Sequence, residues 1–270
     1  MPPRWIRRFH DAPDADTVMV CFPHAGGSAG FYHPLSRALA PGTQVLAVQY
    51  PGRQDRMAEP PLGDAGLLAD RVHRALIRET FAEEDRTGAP DFADGALPGL
   101  RGRRLVLFGH SMGATLAFEV ALRLEAAGTP PALLLASNRR APSLPTHSAV
   151  HTYDDDGLIA ELGRVGGTES ALFRSGELLR AALPALRADY RAIETHPVTT
   201  ARLSTPVAVL LAEDDPLTDL EQALAWRDHT TGPFTLGVLP GGHFYSGGWT
   251  PDLLSAVRTR LAGTKVAQRL

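Results

Sequence analysis

Ser111 stands in the stretch Gly109-His110-Ser111-Met112-Gly113, with the apolar run 104–108 leading in and a helical stretch, 114–124, leading out. A serine at so tight a strand-to-helix corner is a nucleophile. The glycines on either side remove side chains that would clash in the turn, and the turn lifts the hydroxyl out at the strand's carboxyl end. The same turn aims the N–H of Met112 at that point, where the positive end of the following helix adds to it. The bland alternative is a tight turn in which serine is merely small and polar. The strand before it and the helix after it weigh against that.

A serine hydroxyl is a weak nucleophile and needs a base. Of the ten histidines, His243 stands out: it lies in Pro-Gly-Gly-His-Phe-Tyr (240–245), after an apolar run and before a last helical stretch. His196 and His229 fall within or at the ends of helical patterns and read as surface residues. His110, locked beside the serine, points the wrong way for a base. The acid that orients the base is expected past the preceding strand, where Glu213, Asp214 and Asp215 follow one another. Asp215, just before Pro216, fits best, with Asp214 as its rival; the remaining acids read as an ordinary helix N-terminus. A second backbone donor for a reacting carbonyl is expected in the glycine-rich loop 22–30, whose backbone can approach a substrate closely. That loop has neither the spacing of a dinucleotide-binding turn nor a Gly-Lys-Ser ending.

These residues need a frame to hold them. Apolar runs at 18–22, 44–49, 104–108, 132–137, 206–212 and 234–239 are continuous rather than alternating, so they read as strands covered on both faces. Helical stretches at 31–40, 64–80, 113–127, 176–195, 219–229 and 251–262 alternate with them. Strand–helix alternation predicts one α/β domain over 1–270, a mostly parallel sheet with helices on both faces. Two segments break the rhythm. Residues 83–103, rich in Gly, Pro, Asp and Arg, read as an exposed flexible loop. Residues 140–200 are longer than a plain crossover needs and carry no strand, so they read as an inserted helical lid. Its apolar positions, among them Leu158, Leu162, Leu172, Phe173, Leu179, Leu183 and Leu186, recur at roughly helical spacing. Arg139 and Arg140 open it, and one or the other is expected near the mouth of the site.

The 270 residues are 44% hydrophobic and 21% charged, with a net charge of −3. No global basic field argues for nucleic acid. The single cysteine, Cys21, rules out a disulfide framework within the chain and a cysteine metal cluster, and reads as a buried strand residue. No apolar segment approaches bilayer length, and no signal-peptide core follows the N-terminal basic residues, so a cytoplasmic location is expected.

Four stretches in order, 21–29 (CFPHAGGSA), 49–53 (QYPGR), 108–114 (FGHSMGA) and 240–245 (PGGHFY), together resemble the type II thioesterases of polyketide and nonribosomal peptide synthesis. The resemblance spans 18 to about 262 and implies the α/β-hydrolase fold with a helical lid. It implies a triad of Ser111, Asp215 and His243, and oxyanion donors at the backbone N–H groups of Ala25 and Met112. It implies hydrolysis of acyl groups from the phosphopantetheine arm of an acyl or peptidyl carrier protein, with no cofactor or metal. The loop 83–103 looks longer than the family pattern needs. A carboxylesterase or lipase, an acyltransferase, and a non-catalytic binding protein on the same scaffold are the competing readings.

Overall fold

The structure, a computed structural model, describes residues 4–81, 100, 102–166, 176–245 and 248–267. Seven strands form one sheet: β1 (Ile6–Arg8), β2 (Thr17–Phe22), β3 (Gln44–Val48), β4 (Arg104–His110), β5 (Leu133–Ser137), β6 (Val207–Ala212) and β7 (Phe234–Leu239). Their spatial order is β1-β3-β2-β4-β5-β6-β7. Every pairing is parallel except that of β1 with β3. The six strands expected from the sequence are all present. β1 was not anticipated, because three residues with one buried side chain carry too little pattern to read.

Side chains of each inner strand point alternately to the two faces. Val18, Val20 and Phe22 enter one core layer, with Leu105, Leu107, Val207 and Val209. Met19 and Cys21 enter the other, with Val106, Phe108, Ala208 and Leu210. Helices α2 (Ala65–Ala75) and α3 (Met112–Ala126) close the first layer; α1 (His33–Leu39) and α7 (Pro251–Ala267) close the second. Because both faces are covered, the inner strands had to be apolar throughout; β7, at the sheet edge, corrects the sequence reading of 234–239, its residues being half-buried or exposed rather than covered on both faces. Cys21 is buried in β2 as expected.

Between β5 and β6 the chain makes α4 (Asp155–Val165) and α5 (Gly176–Glu194), with no strand among its described residues. Asp154 caps α4 by accepting from the Gly157 N–H at 2.8 Å, and Gly166, at φ 77°, ends it in the left-handed conformation. Leu158 of α4 packs with Val150, Leu183 and Leu186 in a small apolar cluster of its own. Leu172 and Phe173 lie outside the described residues, as does nearly all of 83–103. The short α6 (Leu220–Leu224) starts with a capping box between Asp219 and Gln222, and a 3₁₀ turn, Ala225–His229, completes the helical stretch expected there.

His229 corrects the sequence reading. It is buried rather than exposed, with Nδ1 2.9 Å from the Ala201 carbonyl and Nε2 2.9 Å from Ser143 Oγ. It joins the segments around Ser143 and Ala201, which only the folded chain brings together. His196 is half-buried, 3.2 Å from Glu119.

Candidate active site

Five neighbouring parallel strands end on one edge of the sheet, and each contributes to a single cluster just past its carboxyl end. The turn at the end of β4 is the most constrained. Ser111 has φ 53° and ψ −120°, a conformation that costs a non-glycine residue strain. A Cβ on Gly109 would meet the Gly113 carbonyl oxygen at 2.2 Å, and a Cβ on Gly113 would meet the Phe22 carbonyl oxygen at 1.9 Å. The first glycine lets the chain double back; the second lets α3 start against the end of β2. Glycine is therefore required at both positions by sterics within the elbow and across to β2.

The turn holds Ser111 Oγ 2.9 Å from His243 Nε2. His243 Nδ1 lies 2.9 and 3.0 Å from the two oxygens of Asp215, which follows β6. A carboxylate only accepts, so Nδ1 carries the proton and Nε2 presents its lone pair to the serine O–H. Asp215 Oδ1 also accepts the Leu217 N–H at 2.8 Å, which holds the carboxylate in place. The side chains of His243 and Asp215 are 2% and 0% exposed, so this chain of hydrogen bonds runs where water does not compete. Glu213 and Asp214 point to solvent and take part through their backbone N–H groups, which donate to Leu239 and Gly241. Of the rival acids, Asp215 is the one whose carboxylate is buried and in contact with the imidazole.

The N–H of Met112, at the first position of α3, has no acceptor in its own helix. The turn after β2 runs through His24, Ala25, Gly26 and Gly27, closed by a 2.9 Å hydrogen bond from Gly27 N–H to the His24 carbonyl. Ala25 lies with Ser111 and His243 on the wall of one cavity of about 1200 Å³. Leu162 of α4 and Leu179, Leu183 and Leu186 of α5 line the same cavity.

Arg139 and Arg140 both reach this cavity. Arg139 Nε donates to Thr115 Oγ1 at 2.9 Å, and burial, with the Arg140 charge beside it, lowers its pKa to about 10. Arg140 is tied to the carbonyls of Pro145 and Leu217.

Three sets of residues around the site were not singled out from the sequence. Asn138, just past β5, is buried at φ 48°; its Nδ2 donates to the His243 carbonyl at 2.7 Å and its Oδ1 accepts from Ala212 N–H at 2.7 Å. Tyr245 OH bonds Ser137 Oγ at 2.8 Å, and that serine meets His110 Nδ1 at 3.0 Å. Asp189 of α5 is fully buried beside Arg53. An acid on the apolar stripe of a helix was the one signal that could have marked Asp189. Behind His243, the rings of His24, His110 and Phe244 pack edge to face or tilted at 4.8–5.8 Å between centroids. Burial, then the charges of His243 and Arg53, lowers the His24 pKa to about 3. Burial also holds His110 well below its ordinary value. Both imidazoles are therefore neutral spacers. Among the described residues, no group of three His, Cys, Asp or Glu is placed to hold a metal ion, and no helix is long and apolar enough to cross a membrane.

A thioesterase-domain family model matches residues 17–82 and 101–261 and passes over 83–100, the stretch that looked long in the sequence. The chain is 51% identical over 96% of its length to a probable cadicidin biosynthesis thioesterase of Streptomyces griseus, and spans 65% of that protein. It is 42% identical over 97% of its length to the thioesterase PikA5 of Streptomyces venezuelae, spanning 87% of it. Among solved structures, the type II thioesterase BorB from the borrelidin biosynthetic cluster superposes with a TM-score of 0.71 at 45% identity, covering 89% of each chain.

Proposed function

Because this chain belongs to the thioesterase family, whose model matches most of its length, we propose that it is a type II editing thioesterase. In this reading it hydrolyses acyl thioesters from the phosphopantetheine arm of acyl or peptidyl carrier proteins, in the cytoplasm where such carriers work. The observation that carries the proposal is the buried run of hydrogen bonds from Ser111 through His243 to Asp215 at the floor of a large, largely apolar cavity.

His243 Nε2 takes the hydroxyl proton as Ser111 Oγ attacks the thioester carbonyl. The backbone N–H groups of Ala25 and Met112 hold the negative oxygen of the tetrahedral intermediate. The C–S bond breaks, and the departing sulfur takes the proton from His243; with a thiol pKa near ~8.5 it needs little help. A water then repeats the sequence on the acyl-enzyme: His243 removes its proton, the acid is released and Ser111 regains its hydrogen. Asp215 keeps the imidazole in the tautomer both halves require. The scheme uses no metal and no cofactor.

The helices α4 and α5 act as a lid. Their apolar residues wall the acyl chamber and exclude water that would compete for electrostatic contacts. Arg139 and Arg140 place positive charge beside the entrance, which suits an acidic carrier protein.

A panel of acyl-carrier proteins, from acetyl to long and branched chains, tests the reading by the acids released. Ser111→Ala abolishes release while leaving the fold and carrier binding intact. Asp215→Asn lowers turnover on the order of 10³–10⁴-fold, and Asp214→Asn changes it little. A chain that prefers a simple aryl ester to every carrier-bound acyl group is an esterase instead.

A further inference from the structure

The turn that carries Ala25 is held from the lid side. Asp189, on the inner face of α5, accepts the Gly26 N–H at 2.8 Å with Oδ2. The same carboxylate pairs with both terminal nitrogens of Arg53, at 2.7 and 2.8 Å. Arg53, from the loop after β3, also donates to the Gly27 carbonyl at 3.2 Å. Asp189 is 0% exposed and Arg53 is 7% exposed. A second contact runs beside this one: Ala25 packs on the apolar cluster of Val150, Leu158, Leu183 and Leu186. Leu186 is so close that a Cβ on Gly26 would meet it at 3.0 Å, and Gly26 has φ +74°.

The direction of the Gly26 N–H fixes the peptide between Ala25 and Gly26, and the Gly27 bond to His24 fixes the other end of the turn. The N–H of Ala25 shares its peptide with the His24 carbonyl, so the closed turn aims it, and the Asp189 carboxylate of α5 anchors that turn at the next peptide. We propose that Asp189 is a positioning residue: it ties the seating of α5 to the aim of the Ala25 N–H, so that the site reaches full hydrolytic power only with that helix in place. The inference rests on the reading of Ala25 as an oxyanion donor. Its physical basis is that a donor works by being fixed in advance where charge develops, and a misplacement of about 1 Å is enough to forfeit much of its effect. A ground-state substrate, whose carbonyl carries little charge, is bound almost as well without it.

The test uses octanoyl-N-acetylcysteamine as thioester and octylboronic acid as a mimic of the tetrahedral intermediate, with Asp189→Asn, Asp189→Leu and the double variant Asp189→Leu, Arg53→Met. The double variant replaces the buried pair with apolar side chains of similar size, an exchange that commonly preserves or raises stability. We expect Asp189→Leu and the double variant to lose roughly 10- to 100-fold in kcat, with KM within about threefold, because only transition-state contacts weaken. The boronic acid inhibition constant rises by the same factor, and Asp189→Asn, which keeps an acceptor for Gly26, falls between. The double variant regains thermal stability without regaining kcat. If it regains both, Asp189 serves only the fold and the proposal is wrong. If all variants match an active parent chain, the strap alone is overturned. A parent chain that neither hydrolyses the thioester nor binds the boronic acid overturns the reading of the site, and this proposal with it.

Discussion

At the residue scale, the site depends on two positions that tolerate no side chain and one that tolerates strain. Ser111 adopts a positive φ because the crowding relieved at Gly109 and Gly113 leaves the backbone no other path between β4 and α3. Gly113→Ala would place a methyl group inside the Phe22 carbonyl. Backbone, not a flexible side chain, is what it meets, so neither partner can turn aside. We expect a loss beyond the ~1–3 kcal/mol of ordinary overpacking, seen as a collapse in soluble yield or in the urea midpoint. A Gly113→Ala chain of parental stability would mean that the elbow is looser than described. This part of the site was legible in the sequence, because its cause is local: five residues and their flanks contain nearly all the crowding. The exception is the contact of Gly113 with β2, which the local pattern implied only as a need for a small residue.

At the element scale, the histidine loop after β7 is fastened to its neighbours by Asn138. One amide side chain joins the end of β5 to the backbone carbonyl of His243 itself and to the Ala212 N–H at the end of β6. It therefore sets the height of the imidazole over the serine and the spacing to the strand that carries Asp215. Asn138→Ala leaves the buried His243 carbonyl and Ala212 N–H unpaired, at a cost of about 1–3 kcal/mol for each group left so. It also relaxes the loop, so kcat falls while KM holds, measured beside the melting temperature. An unchanged kcat in a destabilised variant would confine Asn138 to a structural part. Sequence patterning located the strands and hence the order in which serine, acid and histidine arrive. It did not locate Asn138, because an asparagine after a strand reads as a turn residue until the tertiary contacts are known.

At the scale of the whole molecule, the buried imidazoles behind the site make the fold sensitive to acid. The His24 pKa is lowered from 6.5 to about 3, chiefly by burial, and His110 is shifted the same way. A base with a lowered folded-state pKa binds its proton more readily when unfolded. Its contribution is fully present above the unfolded value near 6.5 and is lost as pH falls from there toward 3. Each such histidine adds up to about 1.4 kcal/mol per pH unit to the slope. Urea unfolding between pH 7 and pH 4 should show stability falling with acid, and His24→Gln should flatten the fall by close to one proton. A slope unchanged by that substitution would mean that His24 does not stay neutral in the folded chain.

The sequence alone determined six of the seven strands, the helices that cover them and the chain order of the candidate triad residues. Continuous apolar runs declare strands buried on both faces, and an elbow declares itself through glycines its own turn demands. The sequence put Asp215 first with Asp214 as its rival; only the folded chain shows that the Asp215 carboxylate is the one buried against His243. Tertiary structure decided everything that depends on partners far along the chain. Arg53 and Asp189 are 136 residues apart, and neither has a local pattern that names the other. His229 looked like a surface residue because it falls at the end of a helical pattern, yet it is buried against Ser143 and Ala201. The short β1 exists because β3 offers it an open edge, not because Ile6–Arg8 favours a strand. Local sterics and periodicity act over a few residues and can be read in order; burial and pairing are properties of the packed chain, and become visible only when it is folded.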